Sequence, residues 1–213
     1  MLKSEKDRRT IKTKKVIRKA LSELIEEKGF SNISITDLTT RADINRGTFY
    51  LHYFDKYDLL EKVENEVMAE IQEQTKDIDY VNMLSIDVIN EPIPFVIKLF
   101  EYIKENASFM KAILGPKGDP LFHRKLKKLI EINLFEKKLV KAFNKENMLI
   151  PEEYFISYLI SAHLGVAQQW LESGMEKSPK EMALILSKMS LLGPLWAAGI
   201  KNKTDRIKDY KDF

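Results

Sequence analysis

The sequence predicts an all-α protein: an N-terminal three-helix head carrying a helix-turn-helix, followed by a larger C-terminal helical domain. Three observations carry this. Apolar residues recur at three- and four-residue spacings along most of the chain. Helix start and stop signals, such as Ser34-x-x-Asp37, Ser178-Pro179-x-Glu181 and Gly29, fall at the ends of those runs. No strand-rich segment and no internal repeat interrupts the pattern. With 213 residues the chain has room for one or two domains, and 44% hydrophobic with 31% charged residues is the balance of a soluble globular protein. Cysteine is absent, which excludes a disulfide framework, a thiol nucleophile and a cysteine zinc site, and fits a reducing cytoplasm. The basic start MLKSEKDRRTIKTKK is followed by no apolar core of a signal peptide, and no apolar run is long enough to span a membrane.

In chain order, residues 3–9 read as a flexible basic arm. The first long helix is expected over 10–28, with Val16, Ala20, Leu21, Leu24 and Ile25 as its apolar stripe and Gly29 closing it. Phe30 and Ile33 plug the base of the head. Ser34 is the N-cap of a short helix whose buried face is Ile35, Leu38 and Ala42. Asp43 sits where the following turn needs a residue tolerant of left-handed backbone, Ile44 tucks into the angle, and Asn45 caps a second helix from Arg46. Phe49 and Tyr53, four apart, point inward. Gly47, Thr48, Tyr50 and Leu51 face outward, with Arg46 and His52 at the borders. Small residues, hydroxyls and cations at the leading end of a helix suit close approach to a DNA major groove. An ordinary helical hairpin within a bundle is the bland alternative.

This stretch resembles the helix-turn-helix of the TetR family of bacterial transcriptional regulators. The resemblance runs from Phe30 to Leu60, through Ala42-Asp43-Ile44-Asn45, Arg46-Gly47-Thr48-Phe49-Tyr50-Leu51-His52-Tyr53, Lys56 and Leu59-Leu60. Asp43 stands where that family usually has Gly, Asn45 where it usually has Ser, and Phe54 where it usually has Pro or a polar residue. The resemblance implies a cytoplasmic homodimer on double-stranded DNA, reading a pseudo-palindromic operator, more often a repressor than an activator, and answering to an unidentified small-molecule effector. The expected DNA-facing set is Ser34, Thr36, Asn45, Arg46, Gly47, Thr48, Tyr50, Leu51, His52 and Lys56. Arg46, Thr48 and Leu51 are assigned to base edges, with Gly47 allowing approach; Ser34, Thr36, Tyr50, His52 and Lys56 are assigned to phosphates. Charge placement agrees: residues 1–19 hold nine Lys/Arg against two acids, whereas residues 55–213 hold 23 against 25.

Beyond the head, a helix over 56–76 buries Leu59, Leu60, Val63, Val67 and Ile71, and residues 77–91 read as loop or partial helix. Helices follow over 95–106, 107–114, 119–144 (with Leu121, Phe122, Leu126, Leu129, Ile130, Leu134, Leu139 and Phe143 apolar) and 152–172. The last runs over 179–200 and is kinked or broken at Gly193-Pro194. The expected division is a DNA-binding domain at 1–54 (motif 34–53), a ligand-binding and dimerisation domain at 55–200, and a frayed polar tail at 201–213.

The final two helices are too apolar to face water, and by resemblance they meet their dimer mates as a four-helix bundle through Val166, Met182, Met189 and Leu192. Their segment WLESGMEKSPKEMA resembles a C-terminal pattern of a Firmicutes-type subgroup. Phe95, Phe100, Phe109, Phe122, Phe135, Phe155 and Trp170 are candidate linings of a ligand pocket. The inventory for catalysis is thin. His52, His123 and His163 lie on separate elements without partners at ligand spacing, no glycine-rich phosphate loop exists, and no metal, cofactor, catalytic residue or membrane is expected. The alternative reading is a helical protein-interaction or coactivator module that has lost operator binding, with the helix-turn-helix kept as a packing relic.

Overall fold

A computed structural model describes residues 2–74, 76, 87, 90–132 and 148–200. α1 (Leu2–Lys28) starts at the second residue, so the expected flexible arm at 3–9 is helical. The physical reason is propensity: the segment is rich in Lys, Glu and Arg, and holds neither Gly nor Pro to stop the helix propagating upstream of its apolar stripe. Gly29, at φ 76°, ends it, and a single 3₁₀ turn, Phe30–Asn32, follows. The last carbonyls of α1 lack intrahelical partners. Lys117 supplies them, its Nζ donating to Glu26 O at 3.0 Å and Glu27 O at 2.9 Å.

α2 (Ile35–Arg41) opens on the anticipated capping box: Asp37 N donates to Ser34 Oγ and Ser34 N donates to Asp37 Oδ2. The Lys28 ammonium, 2.8 Å from Asp37, and the Ser34 bonds hold that carboxyl far below the usual carboxylate range. Asp43 turns the chain at φ 52°. α3 (Arg46–Tyr50) is capped by Asn45, whose side chain accepts from Thr48 N at 2.7 Å. α4 (Lys56–Gln74) begins at Asp55, whose Oδ1 accepts from the amides of Tyr57 and Asp58.

The body comprises α5 (Pro94–Glu105), α6 (Ala107–Leu114), α7 (Pro120–Ile130, capped by Asp119), α8 (Glu152–Glu172), α9 (Pro179–Leu191, with the Ser178–Glu181 capping box) and the short α10 (Pro194–Ala197). Gly193 at φ 87° and Pro194 break the last predicted helix outright. The predicted positions Leu134, Phe135, Leu139 and Phe143, most of 77–91 and the tail at 201–213 lie outside the described residues. Among the described residues there is no strand.

Two apolar clusters hold these elements. The larger runs without interruption from the head (Ile17, Leu21, Ile25, Leu38, Phe49, Tyr53) through α4 (Leu59, Val63, Val67) into α6, α7 and α8 (Met110, Ile113, Phe122, Leu164). The smaller joins α5 to α8 and α9 through Val96, Phe100, Trp170, Met182 and Ala183. Head and body therefore share one core. Arg18 reinforces the junction: its Nη2 donates to Asn106 Oδ1 at 3.0 Å, and its guanidinium lies over the Phe109 ring at 5.0 Å from the centroid.

Candidate nucleic-acid interface

The five residues of α3 are too few for a self-sufficient helix, because nucleation costs more than so few hydrogen bonds return. Burial makes up the difference. Phe49 is fully buried, Tyr53 nearly so, and their ring centroids are 5.6 Å apart. That anchoring turns the rest of the segment outward: Tyr50 is 55% exposed and Leu51 81% exposed. Leu51 and His52 lie in the turn after α3 rather than on the helix itself, and the His52 carbonyl accepts from Lys62 Nζ.

The expected DNA-facing residues separate into two groups. Some have their polar atoms engaged within the head. Ser34 Oγ both accepts from Asp37 N and donates to Asp37 Oδ2 at 2.6 Å. Thr48 Oγ1 donates to Asn45 Oδ1 at 3.0 Å, so the threonine hydroxyl and the asparagine carbonyl together form the cap. Gly47 lies against that cap: a Cβ there would come within 3.3 Å of Asn45 Oδ1. Lys56, expected on phosphates, is engaged within the head in the free chain. Its ammonium donates to the carbonyls of Phe30 (3.2 Å), Ser31 (2.9 Å) and Ile33 (2.9 Å) and sits over the Phe30 and Tyr57 rings. An ammonium has three donors, and all three are spent on the turn that links α1 to α2. The other group remains outward and exposed: Arg46, Tyr50 and Leu51, joined by Thr36, whose Oγ1 accepts from Arg46 Nη2 at 3.0 Å. Phe54, the departure noted in the sequence, is 84% exposed at the mouth of α4, with its amide fixed on Asp58 Oδ2.

Comparison with known proteins places this geometry. Residues 17–63 match the family described as "Bacterial regulatory proteins, tetR family", and residues 90–191 match one described as "Transcriptional regulator C-terminal region". The chain belongs to the TetR family. The members it resembles are transcriptional regulators, not enzymes. Over 66 residues, 30% of this chain, it is 38% identical to YxbF of Bacillus subtilis (strain 168), an uncharacterised HTH-type transcriptional regulator; the match spans 17% of that protein. Among solved structures, a TetR transcriptional regulator from Streptococcus agalactiae 2603V superposes with a TM-score of 0.60 at 22% identity, covering 87% of this chain and 97% of the other. NalD of Pseudomonas aeruginosa, the secondary repressor of the MexAB-OprM multidrug efflux pump, superposes with a TM-score of 0.56 at 20% identity, covering 86% and 97%. Both likenesses are of fold. Among the described residues no helix is long and apolar enough to cross a membrane, and no group of three acids or histidines could hold a metal.

In this TetR-family body, the expected pocket aromatics pack as core. Phe100 meets Trp170 edge-to-face at 5.1 Å in the smaller cluster, and Phe109 meets Phe122 at 6.2 Å in the larger one. Phe155 and Phe95 are partly buried against the larger and smaller clusters respectively, and Phe135 lies outside the described residues. These described rings are divided between the two clusters, which Ile103 and Met175 both touch. Of the expected dimer residues, Met182 is buried with Phe100, Trp170 and Ala183 in the smaller cluster, and the half-buried Val166 packs on the same cluster. Met189 and Leu192 are half-buried. The apolar side chains left exposed nearby are Tyr154 and Tyr158 on α8, and Leu195, Trp196 and Ile200 in and after α10. His163 accepts its place in the core as a neutral ring: burial lowers its pKa to about 4, and Nε2 meets Ser190 Oγ at 2.8 Å.

α4 also buries a charged group. Glu64 lies on the buried face of α4, its side chain 1% exposed. Oε2 accepts from Lys125 Nζ of α7 at 2.7 Å, while the buried Oε1 has no partner among the described residues. Burial pushes this carboxyl up, against the opposing pull of Lys125. Its sequence signal was its register, one residue after Val63 and three before Val67, where a helix face should be apolar.

Two outcomes follow. Lys56→Met should lower the melting temperature, by an amount equivalent to about 1–3 kcal/mol, since part-buried carbonyls lose their donor. A variant that melts like the parent yet binds DNA more weakly would return Lys56 to the phosphate set. For Glu64, a carboxyl raised above its ordinary 4.5 makes the folded state bind more protons than the unfolded one. The associated stability is present below pH 4.5 and is lost as pH rises through the folded value. Melting curves of Glu64→Gln and parent, taken from pH 4.5 toward neutrality, should therefore diverge in the variant's favour; a constant difference would mean that Lys125 cancels the cost of burial.

Proposed function

We propose that the protein is a homodimeric transcriptional repressor that grips a pseudo-palindromic operator with its two heads and is released by a small-molecule effector. The observation that carries the DNA reading is α3 itself: a capped, core-anchored helix that, with the turn after it, leaves Arg46, Tyr50 and Leu51 exposed among the described residues. In this reading Arg46 pairs with a base edge, guanine being the natural partner of a guanidinium fork, Leu51 meets a thymine methyl, and Tyr50 and His52 approach phosphates. The exposed cations Arg8, Lys12 and Lys15 lie along one face of α1 at helical spacing and would add a sequence-independent phosphate term. The division into a DNA-binding part at 1–54 and a dimerisation and effector part at 55–200 belongs to the same proposal.

The dimer reading rests on the uncovered apolar groups at the end of the body. Tyr158 and Tyr154 are one turn apart on α8, and Gly165, two turns on, has open space at its Cβ position, which leaves room for a second helix. Twofold symmetry in the protein asks for twofold symmetry in the site. The repressor sign follows the likeness to NalD. The chain's own core supplies the effector's lever, because the cluster that anchors Phe49 continues to Phe122 and Leu164 in the body.

Selection from random duplex DNA should return an inverted repeat, with sedimentation showing two protomers per site. Arg46→Ala should then cost about 1–3 kcal/mol on the selected sequence and relax preference at one base pair in each half. Recovery of no preferred sequence would overturn the operator reading and favour a protein-interaction module; a single half-site bound by one protomer would overturn the dimer.

A further inference from the structure

α2 and α3 are bridged near their leading ends by one side-chain hydrogen bond, Arg46 Nη2 to Thr36 Oγ1 at 3.0 Å. Both partners are exposed, yet both are mounted on fixed backbone. Thr36 is the second residue of α2, within the Ser34–Asp37 capping box. Arg46 is the first residue of α3, directly behind the Asn45 cap. The turn between the helices is fixed by the Asp43 N to Thr40 O bond (3.2 Å) and the Ile44 N to Thr39 O bond (3.0 Å). A threonine is stiff about its first side-chain torsion, so its hydroxyl is a well-defined anchor. An exposed arginine without an anchor samples many rotamers, and bidentate base recognition requires its planar fork in one orientation. The bond occupies one of the five guanidinium donors and leaves the others for a ligand.

We propose that Thr36 is a positioning residue: it aims the Arg46 guanidinium, so base preference at the position Arg46 reads depends on a hydroxyl that touches no base. The inference rests on the reading of Arg46 as a base contact. It replaces the phosphate role expected of Thr36 from sequence, and it makes the angle between α2 and α3 part of the specificity of the site.

The test compares Thr36→Val, which keeps the shape and removes the hydroxyl, with Thr36→Ser, which keeps the hydroxyl. Affinities are measured for the selected operator, for its single-base variants and for unrelated duplex DNA, in the parent and in the Arg46→Ala background. Thr36→Val should lose about tenfold discrimination at the base pair that Arg46→Ala identifies, leave unrelated DNA unchanged, and be silent when Arg46 is already alanine. Thr36→Ser should restore the discrimination. Equal weakening on every sequence would make Thr36 a phosphate contact and overturn the proposal. So would an unchanged profile, a serine variant as poor as valine, or a full Thr36→Val effect without Arg46. If Arg46→Ala itself relaxes no base pair, the base-contact reading falls first, and the positioning role falls with it.

Discussion

A five-residue helix has no stability of its own, and the proposed reading face depends on one. The constraint is met by Phe49, which is fully buried, with Tyr53 beside it and a cap at Asn45. Removing that burial would leave Arg46, Tyr50 and Leu51 on a disordered turn. Because Phe49 belongs to the same cluster as Met110, Phe122 and Leu164, the pose of the reading face is set by packing that continues through α4 and α6 into the body. Close-packed interiors transmit displacement rather than absorb it, so a shift among the body helices has a direct mechanical route to the head.

Charge fixes the register of that route at three points. Arg18 ties α1 to Asn106 and Phe109, Lys117 closes the carbonyl end of α1, and Lys125 pairs with the buried Glu64 of α4. The last is a poor stabiliser on physical grounds, because desolvation of a carboxylate offsets most of what one partner returns. Its consequence is directional: an apolar α4–α7 contact could slide, whereas the buried Glu64 carboxylate meets the half-exposed Lys125 ammonium at one register only.

The head was legible almost residue by residue, because its signals are local. Ser34 with Asp37, Asp43, Asn45, and Phe49 with Tyr53 each act within a few residues of themselves, and the structure realises each one. The same holds for α6 and α8, whose ends fall where glycines, prolines and apolar spacing put them. What escaped was non-local or competitive. The first residues of α1 carry no apolar stripe, so their helix-forming composition was read as a tail. Nothing in the sequence brings the Phe30, Ser31 and Ile33 carbonyls to the Lys56 ammonium. An apolar stripe such as that of Met182 and Val166 does not say how much of it packs on its own chain and how much on another. Glu64 was visible as a charge out of register, but its Lys125 partner is 61 residues away.

We propose that the reading face is preformed in the free protein, held by Phe49 rather than induced by DNA. Native-state hydrogen exchange tests this directly. The amides of Phe49, Leu51 and Tyr53, which donate to the Asn45, Gly47 and Phe49 carbonyls, should exchange only when the head core opens, with protection matching the amides of Leu21 and Leu24 in α1. Rapid exchange of those three amides beside a protected α1 would show that α3 forms only on binding, and would contradict the account.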